Sequence, residues 1–193
     1  MATISEVEFG KCCRGLYKAS NELQDGWDLI EPSESVYLSK KFIKAAPGSM
    51  QANYQIIAEV TTIECHVVYS PSYSCPVLYF TASNSEGKRL SLEDCQKLIS
   101  PVYQEHLTSD FKWSFVTMQE HPVLLKPFYQ LHPCHTTDFM KPLIELRNAK
   151  CVRNYVFSWL SVVLPVLGLN FRTEEYLVHF GESRRDGECD TLS

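Results

Sequence analysis

The sequence predicts an α+β fold. Three observations carry that prediction: an amphipathic helical pattern near the N-terminus, a run of strand-like segments bounded by turn residues, and a return to helical spacing in the last third of the chain. An order of helix, strands, then helices places one antiparallel sheet against packed helices.

Each element has its own signal. Ser5 followed by Glu8 is a capping-box pattern, and Phe9, Cys12, Cys13, Leu16 and Leu23 share one helical face, so residues 5–23 read as a helix that exits at Asp25-Gly26. Residues 36–43 and 53–60 read as strands joined by a turn at Pro47-Gly48. Residues 63–69 and 76–82 read as the next two strands, and residues 84–87 as a turn. Ser91 with Asp94 opens a second helix that runs to about His106. Residues 113–118 read as a strand, and residues 128–131 as a short extended segment. A short helix at 137–143, broken by Pro142, and a long one at 152–167, ended by Pro165, complete the pattern. Residues 1–172 form one domain in this reading, and the polar stretch 173–193 is a flexible tail.

Composition narrows the function classes. A chain of 193 residues with 45% hydrophobic content can bury a sizeable core. The formal net charge of −5, with no basic stripe, argues against a nucleic-acid binder. The most apolar run, residues 156–169, is interrupted by Ser158, Ser161, Pro165 and Gly168, and falls short of the ~20 apolar residues of a membrane span. The first residues carry neither a basic nor an apolar leader region. Eight cysteines without a secretory signal read as a reduced, cytoplasmic protein rather than a disulfide scaffold.

One cysteine stands apart. Cys134 follows an apolar, strand-like stretch, sits directly after Pro133 and between His132 and His135, and precedes Thr136-Thr137-Asp138, which reads as a helix start. A helix N-terminus and two imidazoles both favour the thiolate, which is the reactive form. His132, His135 and Thr136 are the candidates for supporting it.

The Leu131-His132-Pro133-Cys134 run resembles the active site of the autophagy E2-like conjugating enzymes, which carry His-Pro-Cys at the nucleophile. Residues 64–80 (ECHVVYSPSYSCPVLYF) resemble that family's central hairpin, Arg89-Leu90-Ser91-Leu92-Glu93-Asp94 its entry to a central helix, and residues 154–170 (NYVFSWLSVVLPVLGLN) its terminal helix. Of the family's two branches, the chain is similar to the one without a long acidic insertion.

That resemblance implies a ubiquitin-conjugating (E2-like) fold and an acyltransferase working through a cysteine thioester, with no cofactor and no metal. It further implies three partners. The E1-like autophagy-related protein seven donates the modifier, the ubiquitin-like autophagy-related protein twelve is that modifier, and a lysine of autophagy-related protein five accepts it. Tyr69, Tyr73 and Tyr79, on the hairpin, are candidates for acceptor binding. Ubiquitin E2s commonly supply an oxyanion donor from a His-Pro-Asn run upstream of the cysteine. Here the upstream run is His121-Pro122-Val123, so backbone amides after Cys134, or Ser114, Thr117 or Gln130, must substitute. His66, His106, His121 and His179 read as surface or structural.

Three other readings remain open at the level of sequence. A thiol hydrolase would need a histidine base and an orienting Asn or Asp beside Cys134, and would act without E1 or ATP. A zinc site could use His132, Cys134 and His135, but no fourth ligand and no Cys-x-x-Cys pair is indicated. A non-catalytic module on the same fold would present a sheet edge to partners.

Overall fold

The computed structural model describes residues 3–32, 35–45, 49–50, 56–57, 60–104, 115–133 and 154–182. Helix α1 (Glu6–Leu23) opens with the expected capping box, Ser5 accepting from the Glu8 amide and Glu8 bonding back to Ser5. It closes on Gln24 in the left-handed region, whose amide returns to Ser20 and Asn21 carbonyls.

Among the described residues eight strands follow: β1 (Asp28–Ile30), β2 (Tyr37–Ala45), β3 (Ser49–Met50), β4 (Ile56–Ile57), β5 (Val60–Ser70), β6 (Cys75–Ser83), β7 (Val116–Glu120) and β8 (Pro127–Leu131). Six of them form one antiparallel sheet in the order β1-β2-β5-β6-β8-β7, while β3 and β4 pair separately. The strand expected at 53–60 is thus divided. Ile56–Ile57 belongs to the small ribbon, and Val60 already starts the eleven-residue β5. The expected turn at 84–87 forms, with the Asn84 side chain accepting from the Glu86 and Lys88 amides and Gly87 at φ 78°.

The register places Leu38, Ile63, Cys65, Val67, Leu78, Phe80, Ala82, Tyr129, Leu131 and Val116 on one face, and all are buried. Against them pack Phe9, Cys13, Leu16 and Ala19 of α1, at the helical spacing that the sequence showed. Two helices from the last third complete that layer. In α4 (Tyr155–Val163), Val156, Trp159, Leu160 and Val163 point into the core, and a 3-10 turn (Leu164–Leu167) continues it to Gly168 at φ 63°. Asn154 joins the two helices, capping α4 at the Phe157 amide while its side-chain amide donates to the Cys12 carbonyl at 2.7 Å.

Two expectations need correction. The single helix from Ser91 is two short ones, α2 (Leu92–Lys97) and α3 (Pro101–Gln104). Pro101 disfavours helical backbone at Ser100, whose amide bonds Val166 instead, and Lys44 binds the Leu98 carbonyl freed at the break. Residues 105–114 and the helix expected at 137–143 lie outside the described residues.

The stretch from 173, expected to be a flexible tail, instead begins with α5 (Thr173–Glu182). Tyr176 is fully buried there among Phe157, Phe171 and Phe180, and its hydroxyl donates to Asp25 at 2.9 Å. Asp25 is itself buried, and Lys40 neutralises it at 2.7 Å. One aromatic anchor on a buried ion pair therefore holds a helix whose sequence is mostly polar. Residues 183–193 lie outside the described residues. No helix among the described residues is long and apolar enough to cross a membrane.

Candidate active site

Cys134, His135 and Thr136 lie outside the described residues, and the approach to them is described as far as Pro133. Strand β8 delivers the chain to that point. Its last residue, Leu131, pairs with Val116, and the His132 amide then donates to the Phe115 carbonyl at 3.0 Å. Pro133 is buried. Proline restricts the preceding His132 to extended backbone, and Pro133 itself is helical, so the strand gives way to a helix start at Pro133.

The β5–β6 turn meets this end of β8. The Tyr73 ring stands edge-on to His132, with centroids 6.0 Å apart, and is 37% exposed. The other two hairpin tyrosines are engaged elsewhere. Tyr69 packs on Phe9 and donates its hydroxyl to the Ile4 carbonyl at 3.0 Å. Tyr79 is partly buried, accepts from the Gln130 amide at 3.1 Å and has its acidity suppressed by burial. Of the three tyrosines, Tyr73 is the one the fold brings to His132.

Three of the described cysteines are poor nucleophiles. Cys13 and Cys65 are fully buried and burial drives their thiol pKa values far up; burial pushes the Cys95 thiol to about 12. Cys75 is also buried, and Cys12 partly so.

The upstream His121-Pro122-Val123 run occupies a different place from the one its motif suggests. It opens the β7–β8 turn, with the His121 amide paired to the Lys126 carbonyl. His132 lies at the opposite end of the same hairpin, six extended residues beyond Lys126, or about 20 Å at the rise of a strand. Position 123 is therefore no counterpart of an oxyanion donor. The Val123 amide is already committed, donating with that of Leu124 to His121 Nδ1 at 3.2 Å each. Among the side chains considered as substitutes, Gln130 donates to Tyr79, and the buried Thr117 hydroxyl finds no partner among the described residues. Ser114 lies outside them.

His121 is wholly buried, and so is His66. Because His121 Nδ1 accepts two amides, its proton sits on Nε2, which donates to His66 Nδ1 at 3.1 Å; His66 Nε2 then donates to Glu64 at 3.4 Å. The rings of Tyr37, Tyr79 and Phe128 enclose the pair. Burial, and secondarily His66, push His121 down to about 4; burial also lowers His66, against the opposing pull of Glu64. Both rings are neutral at physiological pH. The sequence carries no local signal for this: residues 63–68 include Glu64 and His66 and read as an ordinary alternating strand.

Comparison with known proteins agrees with the fold and with the motif order. Residues 8–174 match the family described as "Autophagocytosis associated protein, active-site domain". The human ubiquitin-like-conjugating enzyme ATG10 is 34% identical over 201 residues, covering 86% of this chain and 90% of that protein. The Arabidopsis thaliana protein of the same name is 40% identical over 113 residues, covering 56% of this chain and 50% of its own length. A solved structure titled as that of the autophagic E2 Atg10 superposes with a TM-score of 0.52 at 17% identity, covering 87% of this chain and 99% of that one. It shares the fold.

Proposed function

The chain belongs to the autophagocytosis-associated active-site-domain family and is an E2-like ubiquitin-like-conjugating enzyme of autophagy, and on that premise we propose that Cys134 is its nucleophile. The modifier is autophagy-related protein twelve, received from the E1-like autophagy-related protein seven and passed to a lysine of autophagy-related protein five in the cytoplasm. The observation that supports this reading is that His132, two positions before Cys134 in sequence, stands just past the end of β8 beside the partly exposed Tyr73.

Two acyl transfers follow from that reading. In the first, the Cys134 thiolate attacks the glycine carbonyl of the E1 thioester. A new S–C bond forms and the E1 cysteine leaves as a thiolate. One thioester replaces another, so the step is near neutral and needs only an exposed, partly ionised thiol. In the second, a neutral lysine amine attacks the new thioester. Cys134 leaves as a thiolate, and the nitrogen gives up a proton as the isopeptide bond closes. The tetrahedral oxyanion of this step needs donors, each worth about 3 kcal/mol. With the 121–123 turn about 20 Å away along the strand, they come from amides following Cys134 or from groups at the His132 end.

The test is incubation with the E1, ATP and the modifier, read on a non-reducing gel. A reductant-sensitive adduct forms on the wild type and is absent from Cys134→Ala. Cys134→Ser loses transfer and, since an ester leaves more slowly than a thioester, accumulates an adduct that reductant does not remove. An adduct that persists in Cys134→Ala would overturn the reading.

A further inference from the structure

The hairpin that leads to Cys134 is held to the sheet by little backbone. Strands β5 and β6 are zipped over nine register pairs, whereas β8 meets β6 at only Tyr79↔Gln130 and Phe80↔Tyr129. Side chains supplement those two pairs along β8. Arg89 donates to the Pro127 carbonyl, the Tyr129 hydroxyl to the Leu90 carbonyl, and Gln130 to Tyr79.

The far end of the hairpin is held by His121. Its turn exposes Leu124 and Leu125, at 37% and 68%, yet buries the histidine completely. The ring reaches Tyr37 of β2, His66 of β5, Tyr79 of β6 and Phe128 of β8, so the turn folds back across the outer face of the sheet. Leu125 is kept at φ 53°, a conformation that non-glycine residues seldom adopt. Such backbone persists only where its surroundings over-determine it. Here the His121 carbonyl takes the Leu125 amide while its ring takes the two amides before it.

We propose that His121 is a positioning residue for acyl transfer: its hydrogen bond to His66 docks the β7–β8 hairpin on the sheet and so sets the orientation of the His132–Pro133–Cys134 run at the hairpin's other end. The inference rests on Cys134 being the nucleophile. Charging requires only that the thiol be reachable, so a loosened hairpin still charges. Transfer to lysine requires the thioester carbonyl to be held against its donors, and a displacement of about 1 Å can slow such a step on the order of 100-fold.

The titratable neighbours leave this contact to the two imidazoles. Tyr37 and Tyr79 face them with their acidity suppressed by burial, Phe128 is apolar, and Glu64 and the Lys41 beside it sit behind His66. Protonation of His66 on Nδ1 places two protons at the 3.1 Å contact and breaks it, and protonation of His121 on Nδ1 sets a proton against the Val123 and Leu124 amides.

The experiment is single-turnover discharge of pre-charged enzyme to the acceptor, beside the rate of charging. His121→Asn keeps an oxygen for the Val123 and Leu124 amides but lacks the donor to His66. It charges at the wild-type rate and discharges about 100-fold more slowly. His121→Gln restores discharge, because its amide N–H reaches the place of Nε2. If His121→Asn does not fold, His66→Leu removes the acceptor from the central strand instead and gives the same split, which His66→Asn reverses. The wild-type to His121→Asn discharge ratio shrinks towards one as pH falls from 6.5 towards about 4, the wild type losing the same contact. Charging and discharge that fall together, that both stay unchanged, or whose ratio ignores pH would overturn the inference. A wild type that forms no reductant-sensitive adduct strikes at Cys134 itself, and the positioning role falls with it.

Discussion

Replacing Tyr176 by alanine tests the anchoring of the last described helix. The ring is fully buried and lies within about 6 Å, centroid to centroid, of Phe157, Phe171 and Phe180 (5.9, 5.1 and 6.2 Å). Removing a buried aromatic side chain costs about 3–5 kcal/mol through lost transfer energy and the cavity left behind. The hydroxyl adds to that. It donates to the buried Asp25 carboxylate, and hydrogen bonds to charged groups contribute about 1.5–3 kcal/mol. Tyr176→Ala is therefore expected to lose about 4.5–8 kcal/mol, and Tyr176→Phe about 1.5–3 kcal/mol. Since native domains hold only about 5–15 kcal/mol in total, the alanine variant approaches unfolding. Urea titrations followed by tryptophan fluorescence read both values, because the buried Trp27 and Trp159 report the same core. An alanine variant within 1 kcal/mol of wild type would refute the reasoning and favour the flexible tail that its polarity suggested.

Three further outcomes are expected. The buried His66–His121 pair favours neutral rings, so its contribution is present above the unfolded histidine pKa of 6.5 and is lost as pH falls towards about 4; urea unfolding at both ends of that window should differ by about 3 kcal/mol, and His121→Phe should flatten the dependence. Asp25→Asn leaves the partly buried Lys40 without its counter-charge and should cost about 3 kcal/mol by the same titration, against no change if the pair is water-screened. Tyr73→Ala should lower transfer to the acceptor while charging continues, and equal loss of both steps would make Tyr73 a folding residue instead.

The elements that rest on local signals were legible. The capping box of α1, the β5–β6 hairpin, the Asn84–Gly87 turn that follows β6, and the apolar face of α4 each depend on neighbours in sequence, and each appears where the spacing put it. The break between α2 and α3 was missed although Pro101 marks it, because helical spacing continues on both sides. Helix α5 was not legible. Its docking depends on Asp25, 151 positions from Tyr176, and no local pattern carries that information. The same holds for His66 and His121, which lie 55 positions apart and become partners only once the β7–β8 turn folds over the sheet. Matching His121-Pro122-Val123 to an E2 motif by its first two residues failed for a related reason. A tripeptide does not say which end of a hairpin it occupies, and this one occupies the end away from His132. The supporting roles of His135 and Thr136 rest on sequence, as they lie outside the described residues.

The central claim is that the modifier is carried on Cys134. Its most direct test is peptide mapping of the charged enzyme under non-reducing conditions, with the modifier's terminal glycine located by mass. The account predicts the glycine remnant on the peptide containing Cys134, removed by thiol reductant and absent when the E1 or ATP is withheld. A remnant on Cys12, Cys151 or Cys189 of the folded enzyme, with Cys134 unmodified, would contradict it.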